Sequence, residues 1–157
     1  MAETFWPYWR LYNTGNSIVD VKELVPCSPN NPIPSYVVAV FNKFSPHPQP
    51  GYAYYKDGLF SSGYFMVEKK KLLVTEKELY YFLVGGDVSF RPHTEVPENL
   101  WYKVGYTNDS KPIYIGTINI GGEEICGPVI DGVSYAYKEK LLYSDDENYN
   151  VLALNEK

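Results

Sequence analysis

The sequence predicts an all-β protein: two tandem, similar β-units of antiparallel sheet, packed about a pseudo-two-fold axis around one shared core. Three observations predict it. "KKLLVTEKELYYFLV" (70–84) is echoed by "EKLLYSDDENYNVLA" (139–153) at a gap-free separation of 69 residues (139 − 70), sharing Lys, Leu-Leu, Glu, Tyr and Leu. Aromatic residues reach 17% with 16 Tyr, a balance that fits pleated, half-buried strands. The 12 Pro and 12 Gly are spread along the chain as punctuation between many short elements.

The elements follow in order. The first unit covers 6–85 and the second 86–155, and their openings, "NSIVDVKELVP" and "TEVPENLWYKVG", correspond loosely. Next come two strand-like runs, "SYVVAVF" (35–41) and "IYIGTIN" (113–119), with tyrosines 78 apart (114 − 36). The separation is not constant, so one connection has changed length. "SPHPQPG" (45–51), with three prolines, is the place for the extra residues. Gly63 and Gly132 keep the separation of 69, each opening a run into the repeated segment. Taken alone, 70–84 reads as a helix, because Leu72, Leu73, Leu79 and Leu83 approach a helical stripe. Its echo carries Ser144-Asp145-Asp146-Glu147-Asn148 at the centre, residues whose side chains bond nearby backbone and favour a turn. Equivalent segments share one conformation, so both are predicted to be strand–turn–strand hairpins.

At 157 residues with 45% hydrophobic content the chain is long enough to bury a substantial core. Its formal net charge of −5 argues against nucleic acid or an anionic membrane as a partner. The one basic run, Lys69-Lys70-Lys71, sits among Glu68, Glu76 and Glu78 and reads as a solvated face. The start "MAETFWPYWR" lacks the pattern of a signal peptide, and no stretch approaches the ~20 apolar residues of a membrane span. Cytoplasmic placement follows as the expectation, with unconventional export left open. Cys27 and Cys126 are then expected to be reduced thiols, an inter-repeat bridge being the alternative.

An ordered series of motifs covers nearly the whole chain: Trp9, "NTGNSIVD" (13–20), "YVVAV" (36–40), "PQPGY" (48–52) and "YYFLV" (80–84), then "VPEN" (96–99), "VGYTND" (104–109), "YIGT" (114–117), "CGP" (126–128) and "YNVLAL" (149–154). The series resembles the DM-nine repeat family, small proteins often built from two tandem copies. The resemblance implies an all-β fold, a homodimer as a common assembly, and a lectin-like role, since some members bind mannose in invertebrate innate immunity. Their sugar pocket uses the Asp of Gly-Tyr-Asp and the Lys of Pro-Gly-Lys, a carboxylate accepting from vicinal hydroxyls and an ammonium donating to them. This chain departs at both positions. Thr107 follows Gly105-Tyr106, and Pro128 follows Cys126-Gly127; in the first copy the two positions fall near Pro29 and at Tyr52. The Gly-Lys-Glu turn is replaced by "VTEKE" and "YSDDE".

No constellation for catalysis is legible, and no metal site or cofactor is expected. His47 and His93 read as surface loop residues rather than members of a Cys/His dyad. Neither a C-x-x-C nor an H-x-x-x-H spacing is present for zinc. Asp145-Asp146-Glu147 lacks the loop pattern that wraps calcium and reads as a solvated tip, and "GGEE" (121–124) has turn glycines without a phosphate-binding lysine or helix. Trp6, Trp9 and Trp101 among many Tyr suit sugar-stacking platforms, against the plainer reading that they fill the β core with polar tips at the surface. "PYWRLY" (7–12) is the densest aromatic cluster, with Arg10 as a donor. The candidate ligand-binding residues are Tyr106, Thr107, Trp101 and Tyr52.

Three function classes remain. One is a non-enzymatic binding module, lectin-like with altered specificity for a glycan or other small polar ligand. Another is a structural or protein-interaction β-domain that has lost sugar binding. The third, an enzyme, lacks a base and nucleophile pair.

Overall fold

The computed structural model of the chain describes residues 6–11, 13–14, 17–18, 20–41 and 47–155. Among them there is no α-helix; short 3₁₀ turns and fifteen strands make up the fold. The first half contributes β1 (Tyr8–Leu11), a small pair β2 (Asn13–Thr14) and β3 (Ser17–Ile18), β4 (Ser35–Phe41), β5 (Pro48–Lys56), β6 (Leu59–Val67), β7 (Lys71–Thr75) and β8 (Tyr81–Val84). The second half contributes β9 (Val88–Pro92), β10 (Lys103–Tyr106), β11 (Pro112–Ile120), β12 (Glu123–Ile130), β13 (Val133–Lys138), β14 (Leu141–Asp145) and β15 (Asn150–Leu154). Gly15 and Asn16 of the "NTGNSIVD" motif and the start of the proline-rich connection lie outside the described residues.

Each half forms one antiparallel sheet. The first is ordered β1-β8-β4-β5-β6-β7, the second β9-β15-β11-β12-β13-β14 with β10 alongside β11. The orders are the same once each strand is replaced by its counterpart. Register fixes the counterparts residue by residue. Val38 faces Phe82 as Gly116 faces Val151, so the first central strand is offset by 78 and the closing strand by 69. Tyr36 and Tyr114 are therefore equivalent, as their spacing predicts. Equivalent strands meet between the sheets, β5 against β12 and β6 against β13, as a pseudo-two-fold relation requires. There Val37, Tyr52, Leu83, Ile115, Ile125 and Leu152 form the shared core. A second cluster on the other face of the first sheet is built from Val38, Ala53, Phe65, Tyr80 and Phe82.

Three expectations need correction. Segments 70–84 and 139–153 are strand–turn–strand, with no α-helix in either (a 3₁₀ turn, Lys77–Leu79, lies in the first), but they are not hairpins. β7 pairs with β6 and β8 with β4 and β1, so the chain leaves one edge of the sheet and re-enters near the other. β14 and β15 do the same. Apolar alternation says which residues face a core, not which neighbour a strand selects; the buried Tyr80 and Tyr149 anchor the two crossings instead.

Gly132 is also not the partner of Gly63. It sits with Asp131 in the β12–β13 turn at φ values of 53° and 78°, matched by Asp57-Gly58 in the β5–β6 turn at 54° and 78°. Two residues at positive φ make the tight turn that suits the right-handed strand twist, and Asp-Gly is suited to it. Gly63 lies inside β6 between Ala53 and Thr75.

Cys27 and Cys126, finally, are not free. They form a disulfide, with Cα atoms 5.9 Å apart and 99 residues between them in sequence, that joins the halves inside the shared core.

Candidate functional site

The pseudo-two-fold creates two equivalent places between the sheets, and the chain treats them differently. In the first half, Val37 faces Tyr52 and Ser35 faces Tyr54 across β4 and β5. In the second, Ile115 faces Pro128 and Ile113 faces Ile130 across β11 and β12. Tyr52 and Tyr54 thus stand where the second half has Pro128 and Ile130. Tyr52 lies opposite Tyr64; one step beyond the Val129–Ser134 pair, Pro128 comes opposite Tyr135. Two phenols on one side become a pyrrolidine and an isoleucine on the other.

The first place is filled. Tyr52 is buried against Tyr64, ring centroids 5.3 Å apart at an interplanar angle of 32°, and Tyr54 meets Tyr52 edge-on at 5.4 Å. The Tyr52 hydroxyl donates to the Tyr137 carbonyl at 2.5 Å, and the Tyr54 hydroxyl reaches Glu123 Oε2 at 3.4 Å. Lys138 closes the rim on Glu123 and on the Ile120 carbonyl. Burial holds the Tyr52 phenol well above its ordinary range. The same cause, with the Glu123 carboxylate beside it, pushes Tyr54 up to about 12. Asn31 locks the adjoining loop by exchanging side-chain hydrogen bonds with the Glu124 backbone, and the Cys27–Cys126 bridge ties the same loop to β12. By register, Gly105 and Pro50 occupy the positions corresponding to those cysteines, so the second place carries no bridge.

The second place is an open cleft of about 400 Å³. Met66, Ile113 and Ile130 give it an apolar floor and Tyr135 an aromatic wall. Its rim is the β6–β7 turn on one side and the loop after β10 on the other. The turn holds three residues, Glu68, Lys69 and Lys70, where the β13–β14 turn holds two, so Glu68 is an added residue. Asn108 donates its amide to Glu68 Oε1 at 2.9 Å, spanning the rim. Lys69 and Lys70 are both left-handed, at φ 61° and 58°. Lys70 is held by the Tyr137 hydroxyl donating to its carbonyl, and its ammonium lies 5.1 Å from the Tyr135 ring centroid.

On the opposite rim Thr107 organises its loop. Its N–H donates to the Lys111 carbonyl, its Oγ1 accepts from the Lys111 N–H, and its hydroxyl donates to Asp109. That hydroxyl, then the Asp109 backbone N–H, and least of the three the Lys111 ammonium, hold the Asp109 carboxyl below its ordinary range. The rim carboxylates are therefore engaged by neighbours. Lys69 and Lys70 enter no ion pair among the described residues.

The four sequence-derived candidates do not converge. Thr107 lines the cleft. Tyr106, exposed just outside it, carries the Lys103 ammonium 4.8 Å from its ring centroid and meets His47 edge-on. Trp101 sits on β15 beside Ala153, edge-on to Tyr114, with its Nε1 donating to the Val96 carbonyl. Tyr52 is the plug of the filled place. Pro128 is buried and does not line the open cleft. The sequence reading missed Tyr135 and the Lys69-Lys70 turn. A signal for both was present: "GYF" (63–65) and "SYA" (134–136) align only when the extra Glu68 is placed in the turn.

No family model matches the chain, and no curated protein is significantly similar to it. Among solved structures it is similar to the nematode sperm cell motility protein MFP2B, with a TM-score of 0.70 and 14% identity. The likeness covers 97% of this chain and 47% of that one, so the chain spans about half its length. At that identity the likeness shows the all-β fold. No helix among the described residues is long and apolar enough to cross a membrane.

Proposed function

We propose that this chain is a non-enzymatic binding protein whose ligand occupies the open cleft between the two sheets. One observation carries the reading: of two places made equivalent by the repeat, one is packed with the chain's own tyrosines and the other is left as a cleft of about 400 Å³, within the range of small-molecule sites. Its apolar floor, aromatic wall and polar rim fit a ligand with one apolar and one polar face. The DM-nine resemblance supports a lectin-like origin, because Thr107 of Gly-Tyr-Thr stands on the rim at the family's carboxylate position. The specificity is altered: with Thr107 and Pro128 in place of the acid and the lysine, mannose loses both its charged partners. Truncating one partner of a buried charged hydrogen bond costs roughly 2–5 kcal/mol, and a millimolar site has only about 4 kcal/mol in hand.

Titration calorimetry with mannose and a mixed glycan panel tests this. Mannose should give no heat of saturation at millimolar sugar, and any glycan that binds should be lost in Tyr135→Ala. Mannose saturation abolished by Thr107→Ala would refute the altered-specificity reading.

The likeness to a motility protein favours a second reading, a protein-interaction β-domain. The exposed apolar residues on the sheet edges, Val74 on β7 and Leu141 on β14, support it, as they would a homodimer. A role in recognising microbes remains part of the proposal; cytoplasmic placement is the expectation from the sequence alone. The Cys27–Cys126 bridge weighs against a reducing cytosol.

A further inference from the structure

The filled place is an internal template for what the open one takes. We infer that the open cleft binds a small phenolic molecule, its ring lying against Tyr135 as the Tyr52 ring lies against Tyr64. The inference rests on the proposed reading of the cleft as a ligand site and names the ligand's chemical class.

Tyr52, Tyr54 and Tyr64 correspond to Pro128, Ile130 and Tyr135, so one half supplies both the platform and its stacked ring while the other supplies the platform alone. The polar end of the template also has a counterpart. The Tyr52 hydroxyl donates to the Tyr137 carbonyl. Tyr137 pairs with Leu142 as Met66 pairs with Leu72, so the equivalent acceptor is the Met66 carbonyl, and Met66 lines the cleft. A ring that displaces water from Met66, Ile113 and Ile130 gains burial there, and an offset contact with Tyr135 adds the preference of aromatic pairs. A phenol matches the apolar floor and the acceptor together, whereas a sugar lays only a small C–H face on the same floor and brings several edge hydroxyls against it. A free molecule fits better than a side chain from a partner, because the Asn108–Glu68 hydrogen bond spans the rim through which a polypeptide would enter.

The test uses the full chain, ¹⁵N-labelled, titrated with p-cresol and followed by amide chemical shifts. Saturable shifts at one site, centred on Tyr135, Ile130 and Met66, are expected. The non-aromatic analogue 4-methylcyclohexanol should bind about tenfold more weakly, a difference of about 1.4 kcal/mol. Pro128→Tyr, which restores the first half's plug, should abolish the shifts. Ile130→Tyr, a floor substitution at the last residue of β12 that spares the strand interior, should weaken them even if the first variant does not fold.

Equal saturation by 4-methylcyclohexanol, or p-cresol shifts retained in Ile130→Tyr, would overturn the phenol assignment. If a glycan moves the same amides and p-cresol does not, the ligand cleft stands and the phenol falls. If neither moves them, both readings fall. Tighter saturation by N-acetyl-tyrosinamide than by p-cresol would replace the small molecule with a tyrosine of a partner chain.

Discussion

Gly51 and Gly127 occupy the same position in the two halves, and each lies where a neighbouring tyrosine's backbone carbonyl leaves no room for a Cβ: Tyr64 for Gly51, Tyr135 for Gly127. These tyrosines are the platforms of the filled and open places, so the two glycines let each platform approach the sheet centre. Gly51→Ala and Gly127→Ala should each destabilise the fold by about 3 kcal/mol or more, since backbone must move to admit the methyl. Urea unfolding would show it. A loss below about 0.5 kcal/mol in both would mean that the close approach is not needed.

The cysteine bridge gives a second expectation. In the chain-entropy account, a cross-link closing a loop of this length stabilises by roughly 4–5 kcal/mol. Free-thiol titration of denatured, unreduced protein should count no thiols, and reduction should lower the melting temperature. Cys27→Ser should behave like reduced wild type. Two titratable thiols in freshly purified protein would restore the reduced state expected from the sequence.

The β13–β14 turn offers a stabilising change away from the cleft. Glu139 and Lys140 are held at φ 50° and 69°, a region that costs a residue with a Cβ more than it costs glycine. Lys140→Gly should raise stability by about 0.5–1 kcal/mol, the scale of left-handed strain less the added chain entropy. Denaturant midpoints at neutral pH would measure it, and no gain would indicate that the lysine makes compensating contacts.

The filled place should also set the alkaline limit of the fold. Unfolded, its phenols lose their protons near pH 10; folded, Tyr54 keeps its own to about 12, and Tyr52 is shifted the same way by burial. A raised folded value means that this stability is fully present below about pH 10 and is lost as pH rises through about 12. Tyr54→Phe should therefore flatten the alkaline limb of the stability profile while leaving neutral stability within about 1 kcal/mol. An unchanged limb would show that other groups control it.

The sequence by itself determined that the chain is all-β and that its closing segments are strands, because a repeated segment must satisfy one conformation in both copies and the Ser-Asp-Asp-Glu-Asn stretch at 144–148 excludes a helix there. It also determined the equivalence of Tyr36 with Tyr114 and of the Pro-Gly-Tyr and Cys-Gly-Pro stretches, since each lies in a strand whose own pattern recurs in both copies even though the connections between strands differ in length. Only the tertiary structure decided that 70–84 crosses its sheet instead of folding back, because strand partners are chosen across the sheet and leave no mark in a local pattern. Only it joined Cys27 to Cys126, residues far apart in sequence that meet where the two sheets pack. The candidate site divides in the same way. Thr107 was legible as a departure from a motif, but the cleft it borders exists because Pro128 and Ile130 fail to fill a space that Tyr52 and Tyr54 fill on the other side. That difference of volume acquires a meaning only once the two halves face each other.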